Sequence, residues 1–163
     1  MNVYRIPPDR VDTLPNAGGT YLLLFRVDEP LRVRVGRLGL LTLEGGWYAY
    51  VGSAHGPGGL RARVRRHVRG SSRRHWHIDY ITHILPPHTI YYTVAPVPLE
   101  CHWVHTLLAH PGVHAPLPGL GSSDCRQGCP AHFLRIPSEE IQPWLEEGMS
   151  HIVHERLTAG GQR

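Results

Sequence analysis

The sequence predicts an α+β domain in which helices pack on one small antiparallel sheet. Three observations carry that prediction. Residues 20–27 form a run of Tyr, Leu, Phe and Val bounded by Gly18-Gly19, long and apolar enough for a buried strand; residues 31–35 alternate Leu, Arg, Val, Arg, Val; and Leu60, Val64 and Val68 recur at helical spacing. A chain of 163 residues is the size of one domain, 1–163, and its 18 Gly and 15 Pro imply many turns rather than disorder or a fibre.

In chain order, a Pro-containing lead precedes the strand Thr20–Val27. The alternation Leu31–Val35 gives a half-exposed strand, and a Gly-rich connection over residues 36–46 leads to an aromatic strand, Trp47–Gly52. A Gly-Pro-Gly-Gly turn at 56–59 opens a helix over Leu60–Arg69 that stops at Gly70. Residues 75–85 mix their periods and favour a short helix. Thr89–Ala95 reads as a strand, and Pro98–Ala109 as a helix opened by proline at its first position. Ala131–Ile136 reads as a late strand. Ser138 before Glu139-Glu140 marks the start of a helical tail to about residue 157. No apolar run approaches the length of a membrane span, and Met1–Arg10 has neither a basic nor an apolar leader region, so a soluble, cytoplasmic protein with no membrane partner is expected.

The positive charge is unusual in kind. All 17 basic residues are Arg, and 13 more residues are His. Every fixed positive charge is therefore a planar fork that suits phosphate. Thirteen of the Arg lie in residues 1–79 against 6 acids, whereas residues 80–163 hold 4 Arg and 7 acids. No acid occurs between Glu44 and Asp79, where Arg61, Arg63, Arg65, Arg66, Arg69, Arg73 and Arg74 crowd together with His75 and His77. Such a patch favours a polyanion such as DNA, and a solvated helix face is its bland alternative. His75 and His77 flank Trp76, a residue suited either to stacking on a base or to packing in the core.

Helix geometry sorts these arginines. With Leu60, Val64 and Val68 as the packing face, Arg63 and His67 border it on one side and stack at i, i+4. Arg61 borders it on the other side, and Arg65, Arg66 and Arg69 point to solvent. On the later helix Glu100 falls within the face formed by Leu99, Trp103, Val104 and Leu107. A carboxylate there must be paired, protonated or bound to a cation, unless it caps the first turn behind Pro98. Cys125, Cys129 and His132 form a Cys-x3-Cys-x2-His cluster that Cys101 can complete to a four-ligand zinc set, although free thiols are also ordinary small core residues.

Gly19-Thr20-Tyr21 opens the first strong strand and Tyr50-Val51-Gly52 closes the third, about 30 residues on. With an Arg-bearing helix and then a Glu-bearing helix after them, this order resembles the GIY-YIG nuclease superfamily, and specifically an uncharacterised branch that shares the His75–Tyr80 and Ser122–Cys125 segments. The resemblance covers residues 18–108, with 109–163 as a C-terminal extension. It implies a divalent-metal-dependent DNA endonuclease in which Glu100 holds one Mg²⁺ or Mn²⁺ ion. By the same resemblance Tyr21 helps to deprotonate the attacking water, Arg63 grips the scissile phosphate, Tyr50 orients the network and His67 serves proton transfer. The chain departs from many relatives in having Ser53 where they place Lys, and in lacking a downstream Asn. Two rival expectations remain: a nucleic-acid-binding module of this fold without turnover, and a protein-interaction domain that uses the acidic tail.

Overall fold

The computed structural model describes residues 1–123 and 125–159, so Asp124 of the Ser122–Cys125 segment and residues 160–163 lie outside the described residues. Seven strands and four α-helices follow one another as β1 (Tyr4–Ile6), β2 (Gly19–Val27), β3 (Leu31–Val35), β4 (Gly39–Leu43), β5 (Gly46–Ala54), α1 (Gly59–Arg69), α2 (His77–Thr82), β6 (Thr89–Val94), α3 (Glu100–Leu108), β7 (Phe133–Ile136) and α4 (Gln142–Ala159). Short 3-10 turns occupy Pro8–Thr13 and Gly36–Leu38. Five strands form one sheet in the order β1-β6-β2-β5-β7, and β3 pairs with β4 as a separate ribbon. Every pairing is antiparallel, so the predicted α+β class holds.

β2 lies at the centre of the sheet, and its apolar run Tyr21–Phe25 follows from burial on both faces. Tyr21, Leu23, Phe25 and Val27 point into one core with Leu60 and Val64 of α1, Ile78 and Ile81 of α2, and Val33, Val35, Leu41 and Leu43 of the ribbon. Leu22 and Leu24 point into the other, with Trp103, Val104 and Leu107 of α3 and Leu145 and Met149 of α4. The sheet is thus the middle layer of three.

The structure corrects four expectations. The connection over 36–46 holds β4, where Leu40 is exposed and Leu41 and Leu43 are buried; the outward leucine hid the alternation from the sequence. The lead contributes β1, an edge strand of three residues, too short to show a period. α3 begins at Glu100, because Leu99 has non-helical backbone angles. α4 begins at Gln142, and Ser138 instead accepts the Glu140 N–H at 3.2 Å in a local turn.

The glycines of both tripeptides have a packing reason. Tyr21 sits directly opposite Gly52 in the β2–β5 register, and its ring lies across that glycine: a Cβ on Gly52 would stand 2.6 Å from Tyr21 Oη. At Gly19 a Cβ would meet the Thr93 carbonyl oxygen at 2.2 Å and Leu60 at 2.7 Å, so this glycine lets both β6 and α1 approach β2. Overpacking of this kind costs about 1–3 kcal/mol. Gly52→Ala and Gly19→Ala are each expected to lower the unfolding free energy by that amount, read as a lower urea midpoint at unchanged slope. Gly56→Ala, which meets open space, should leave the midpoint nearly where it was.

Candidate functional site

β7 pairs with β5 only from Trp47 to Tyr50, and Val51 then donates its N–H to the His132 carbonyl at 2.9 Å. Past that point the end of β5 opens onto a cleft of about 180 Å³ lined by Tyr50, Gly52, Ser53, Arg63, Trp76, Glu100, Gly121, Cys125 and His132. The position matters because residues alternate between the two faces of β5. Tyr50 comes from the α1 face and Ser53 from the α3 face, and only at the strand edge can groups from both meet. Arg63 and Trp76 also line an adjoining depression of about 210 Å³ with Ala54, Gly56, Pro57, Gly59, Ala62 and Arg66.

Glu100, at the first turn of α3, is half-buried, and one carboxylate oxygen accepts the Ser53 hydroxyl hydrogen bond. Ser53 Oγ lies 3.0 Å from Thr20 Oγ1, which in turn accepts the Leu99 N–H at 2.9 Å. The carboxylate is therefore oriented by β5 rather than spent on capping its own helix. Thr20 of the first tripeptide and Ser53, just after the second, fix where α3 starts. Neither residue was singled out for this role in the sequence, since their hydroxyls gain it only through the strand pairing Thr20↔Ser53.

On the other face, Tyr21, Tyr50, His67 and Trp76 form one aromatic cluster. The Tyr21–His67, Tyr50–His67 and His67–Trp76 ring centroids are 5.5, 6.0 and 5.9 Å apart. Tyr21 is completely buried and its hydroxyl lies 2.7 Å from His67 Nε2. Burial raises the Tyr21 phenol well above its ordinary value, with the Arg63 charge pulling partly the other way. It raises Tyr50 to about 12 and lowers His67 to about 3. Both phenols thus keep their protons and His67 stays neutral at physiological pH. His67 Nδ1 is buried with no hydrogen-bond partner among the described residues. Of the two tyrosines Tyr50 faces the cleft and Tyr21 lies beneath it.

The arginines of α1 are sorted differently from the helix projection. Arg65 and Arg69 face solvent as projected, yet both pair there with the exposed Asp12 of the 3-10 turn, at 2.8 Å each. Arg66 makes a two-pronged contact of 2.8 and 2.9 Å with Asp79, which also accepts the His75 and Trp76 N–H groups at 2.7 and 2.8 Å. Burial would raise the Asp79 carboxyl, but Arg66 and these two N–H groups outweigh it and hold the acid below its ordinary value. A helix projection sees one axis only, and here the 3-10 turn and α2 occupy the sides it assigns to water. Arg61 donates to the Leu14 carbonyl at 2.7 Å. Among the described residues Arg63 alone of the α1 arginines has neither a carboxylate nor a carbonyl partner. Its guanidinium lies 4.3 Å from the Trp76 ring centroid, and that of Arg66 lies 4.2 Å from it.

Trp76 is therefore the platform that holds Arg63 at the cleft, a role the mixed period of residues 75–85 did not reveal. His77 is engaged as well, since its Nδ1 accepts the Gly121 N–H at 3.1 Å. Arg73, Arg74 and His75 are exposed on the segment that leads into Trp76, with Arg74 5.5 Å from the Tyr80 ring centroid. The four expected sulfur and nitrogen ligands do come together: one ligand atom from each of Cys101, Cys125, Cys129 and His132 lies within 4.8 Å of the others, a cluster able to hold a metal ion.

A buried neutral histidine couples stability to pH. The unfolded chain binds a proton at the ordinary value of 6.5 while folded His67 refuses it down to about 3, so its contribution is intact above 6.5 and is lost as pH falls between those values. Chemical denaturation between pH 7 and 5 should show a loss of about 1–2 kcal/mol from this one group. His67→Gln, which keeps a partner for Tyr21, should flatten that slope.

A family model described as "Domain of unknown function DUF123" matches residues 20–154. No curated protein and no solved structure gives a match. No helix among the described residues is long and apolar enough to cross a membrane.

Proposed function

The chain belongs to the DUF123 domain family, and from its site we propose a divalent-metal-dependent DNA endonuclease that hydrolyses phosphodiester bonds. One observation carries the proposal: a cleft at a sheet edge joins an oriented carboxylate, Glu100, to Arg63, which pairs with no carboxylate among the described residues, and to a phenol, Tyr50. A guanidinium free of carboxylates presents a planar fork that matches a phosphate. The order of Tyr21, Tyr50, Arg63 and Glu100 along the chain, with its resemblance to GIY-YIG nucleases, supports the same reaction class.

Phosphodiester hydrolysis requires neutralisation of charge on the phosphate, an oriented water and protonation of the leaving oxygen. Glu100, with Ser53 fixing its orientation, is the residue that would hold Mg²⁺ or Mn²⁺. A site with one carboxylate suits an ion that keeps most of its waters. When bound, that ion supplies Lewis acidity, which neutralises phosphate charge and makes water more acidic. Arg63, preset on Trp76, grips a non-bridging phosphate oxygen with a guanidinium that no carboxylate among the described residues engages. Tyr50, protonated and at the cleft wall, orients the water or the phosphate by hydrogen bonding. Tyr21 and His67 act beneath it as a neutral pair that keeps the Tyr50 ring in place. Arg73, Arg74 and His75, exposed on the segment that leads into Trp76, would contact neighbouring phosphates. Arg65, Arg66 and Arg69 reach DNA only at the cost of their pairs with Asp12 and Asp79. For the three-cysteine, one-histidine cluster we propose a structural Zn²⁺, whose donor set it matches.

A catalytically silent DNA-binding module is the second reading, and the complete burial of Tyr21 with its proton retained favours it. Turnover separates the two. With branched, flapped, single- and double-stranded DNA in Mg²⁺ or Mn²⁺, the parent should cleave at least one substrate, and Glu100→Gln should not. Arg63→Ala should lower the single-turnover rate at saturating protein about 10²–10³-fold while binding DNA nearly as well as the parent. Salt-sensitive binding without cleavage in any of these substrates establishes the silent module instead.

A further inference from the structure

Between α3 and β7 the described residues of 109–132 form no helix or strand, a long connection for so small a domain. Its far half folds back on itself: Gly119 donates to the Pro130 carbonyl at 2.7 Å and His132 to the Leu120 carbonyl at 2.8 Å. It also closes over the cleft. A Cβ on Gly121 would stand 2.9 Å from the Tyr50 ring, and Cys125 and His132 form part of the cleft wall. Val51 N–H to the His132 carbonyl, Gly121 N–H to His77, and Leu120 and Ala131 in the core anchor its ends, and between these anchors Cys129 and His132 are buried, as is Cys101 on α3.

We infer that Cys101, Cys125, Cys129 and His132 form a zinc clamp that locks this connection to the first turn of α3 and thereby sets the position of Glu100, the residue next to Cys101. Zinc bonds of about 2.3 Å to sulfur and 2.0–2.1 Å to nitrogen place tetrahedral ligand atoms about 3.5–3.8 Å apart. Cys101 Sγ lies 3.4 Å from Cys125 Sγ and 3.7 Å from His132 Nε2. The Gln127 N–H points at Cys125 Sγ from 3.4 Å, the kind of outer contact that steadies a thiolate ligand. Three thiolates and an imidazole select zinc over Mg²⁺, so the molecule separates a soft site, which fixes the wall, from the hard carboxylate site in the cleft. The clamp stands on its own geometry, and only the use made of Glu100 rests on the nuclease reading.

The test is metal analysis of the chain purified with neither chelator nor added metal, beside alkylation of the native thiols and Mn²⁺ titration. The expected result is about one zinc per chain with all three thiols protected. Cys129→Ser should lose at least about tenfold in zinc content, and should exchange the amides of 119–132 faster while those of β2 and β5 stay protected. In that variant Mn²⁺ should bind at least about tenfold more weakly than in the parent. His132→Cys, which keeps four ligands, should retain zinc, so a failure of Cys129→Ser to fold leaves the clamp testable. Zinc in the parent with no Mn²⁺ binding at all would uphold the clamp and overturn the role given to Glu100. A stable zinc-free chain with freely alkylated thiols, or one with a Cys101–Cys125 disulfide, overturns the clamp.

Discussion

The structure depends on one close crossing, that of the Tyr21 ring over Gly52 in the central strand pair. Because that ring needs the space a side chain would fill, the register of β2 against β5 is fixed, and a slip by one residue would turn every core residue of β2 to the wrong face. The same register sets Thr20 opposite Ser53, and those two hydroxyls fix the start of α3 and the carboxylate of Glu100. On the opposite face it brings Tyr21 to the buried nitrogen of His67 on α1. Both helices that supply the cleft are thus referenced to a single pair of strands.

Charge is arranged around the cleft by consumption rather than by accumulation. The first half of the chain is strongly basic, yet three of the α1 arginines are bound to two carboxylates, Asp12 and Asp79. The exposed Asp12 pairs contribute little to stability, while the Asp79 pair, with its two backbone donors, is buried enough to hold α2 against α1. Arg63 remains, supported through its π-face contact with Trp76 and not through a carboxylate. No carboxylate among the described residues engages it, and this makes it different in kind from its neighbours although the sequence spaces them alike.

Much of the site could be seen in the sequence because it rested on local geometry. A single helix period places Arg63 beside the packing face, makes Glu100 an anomaly on an apolar one, and groups Cys125, Cys129 and His132 within one short segment. What could not be seen depends on residues far apart in the chain. Asp12 and Arg65 meet because a 3-10 turn packs along α1, and Ser53 meets Glu100 because β5 passes beneath α3. β4 escaped because its outward Leu40 is apolar, so composition contradicted the alternation that burial obeys.

By itself the sequence determined the α+β class, the central strand, the principal helices and the types of residue available for chemistry, since periodicity and glycine placement act over a few residues. Only the tertiary structure decided that groups from opposite faces of the sheet share one cleft. Alternation along β5 sends Tyr50 and Ser53 to opposite sides, and nothing in a linear pattern reunites them. They meet because β7 stops pairing at Tyr50 and leaves the end of β5 as an open edge, around which α1, α3 and the cysteine-bearing connection close.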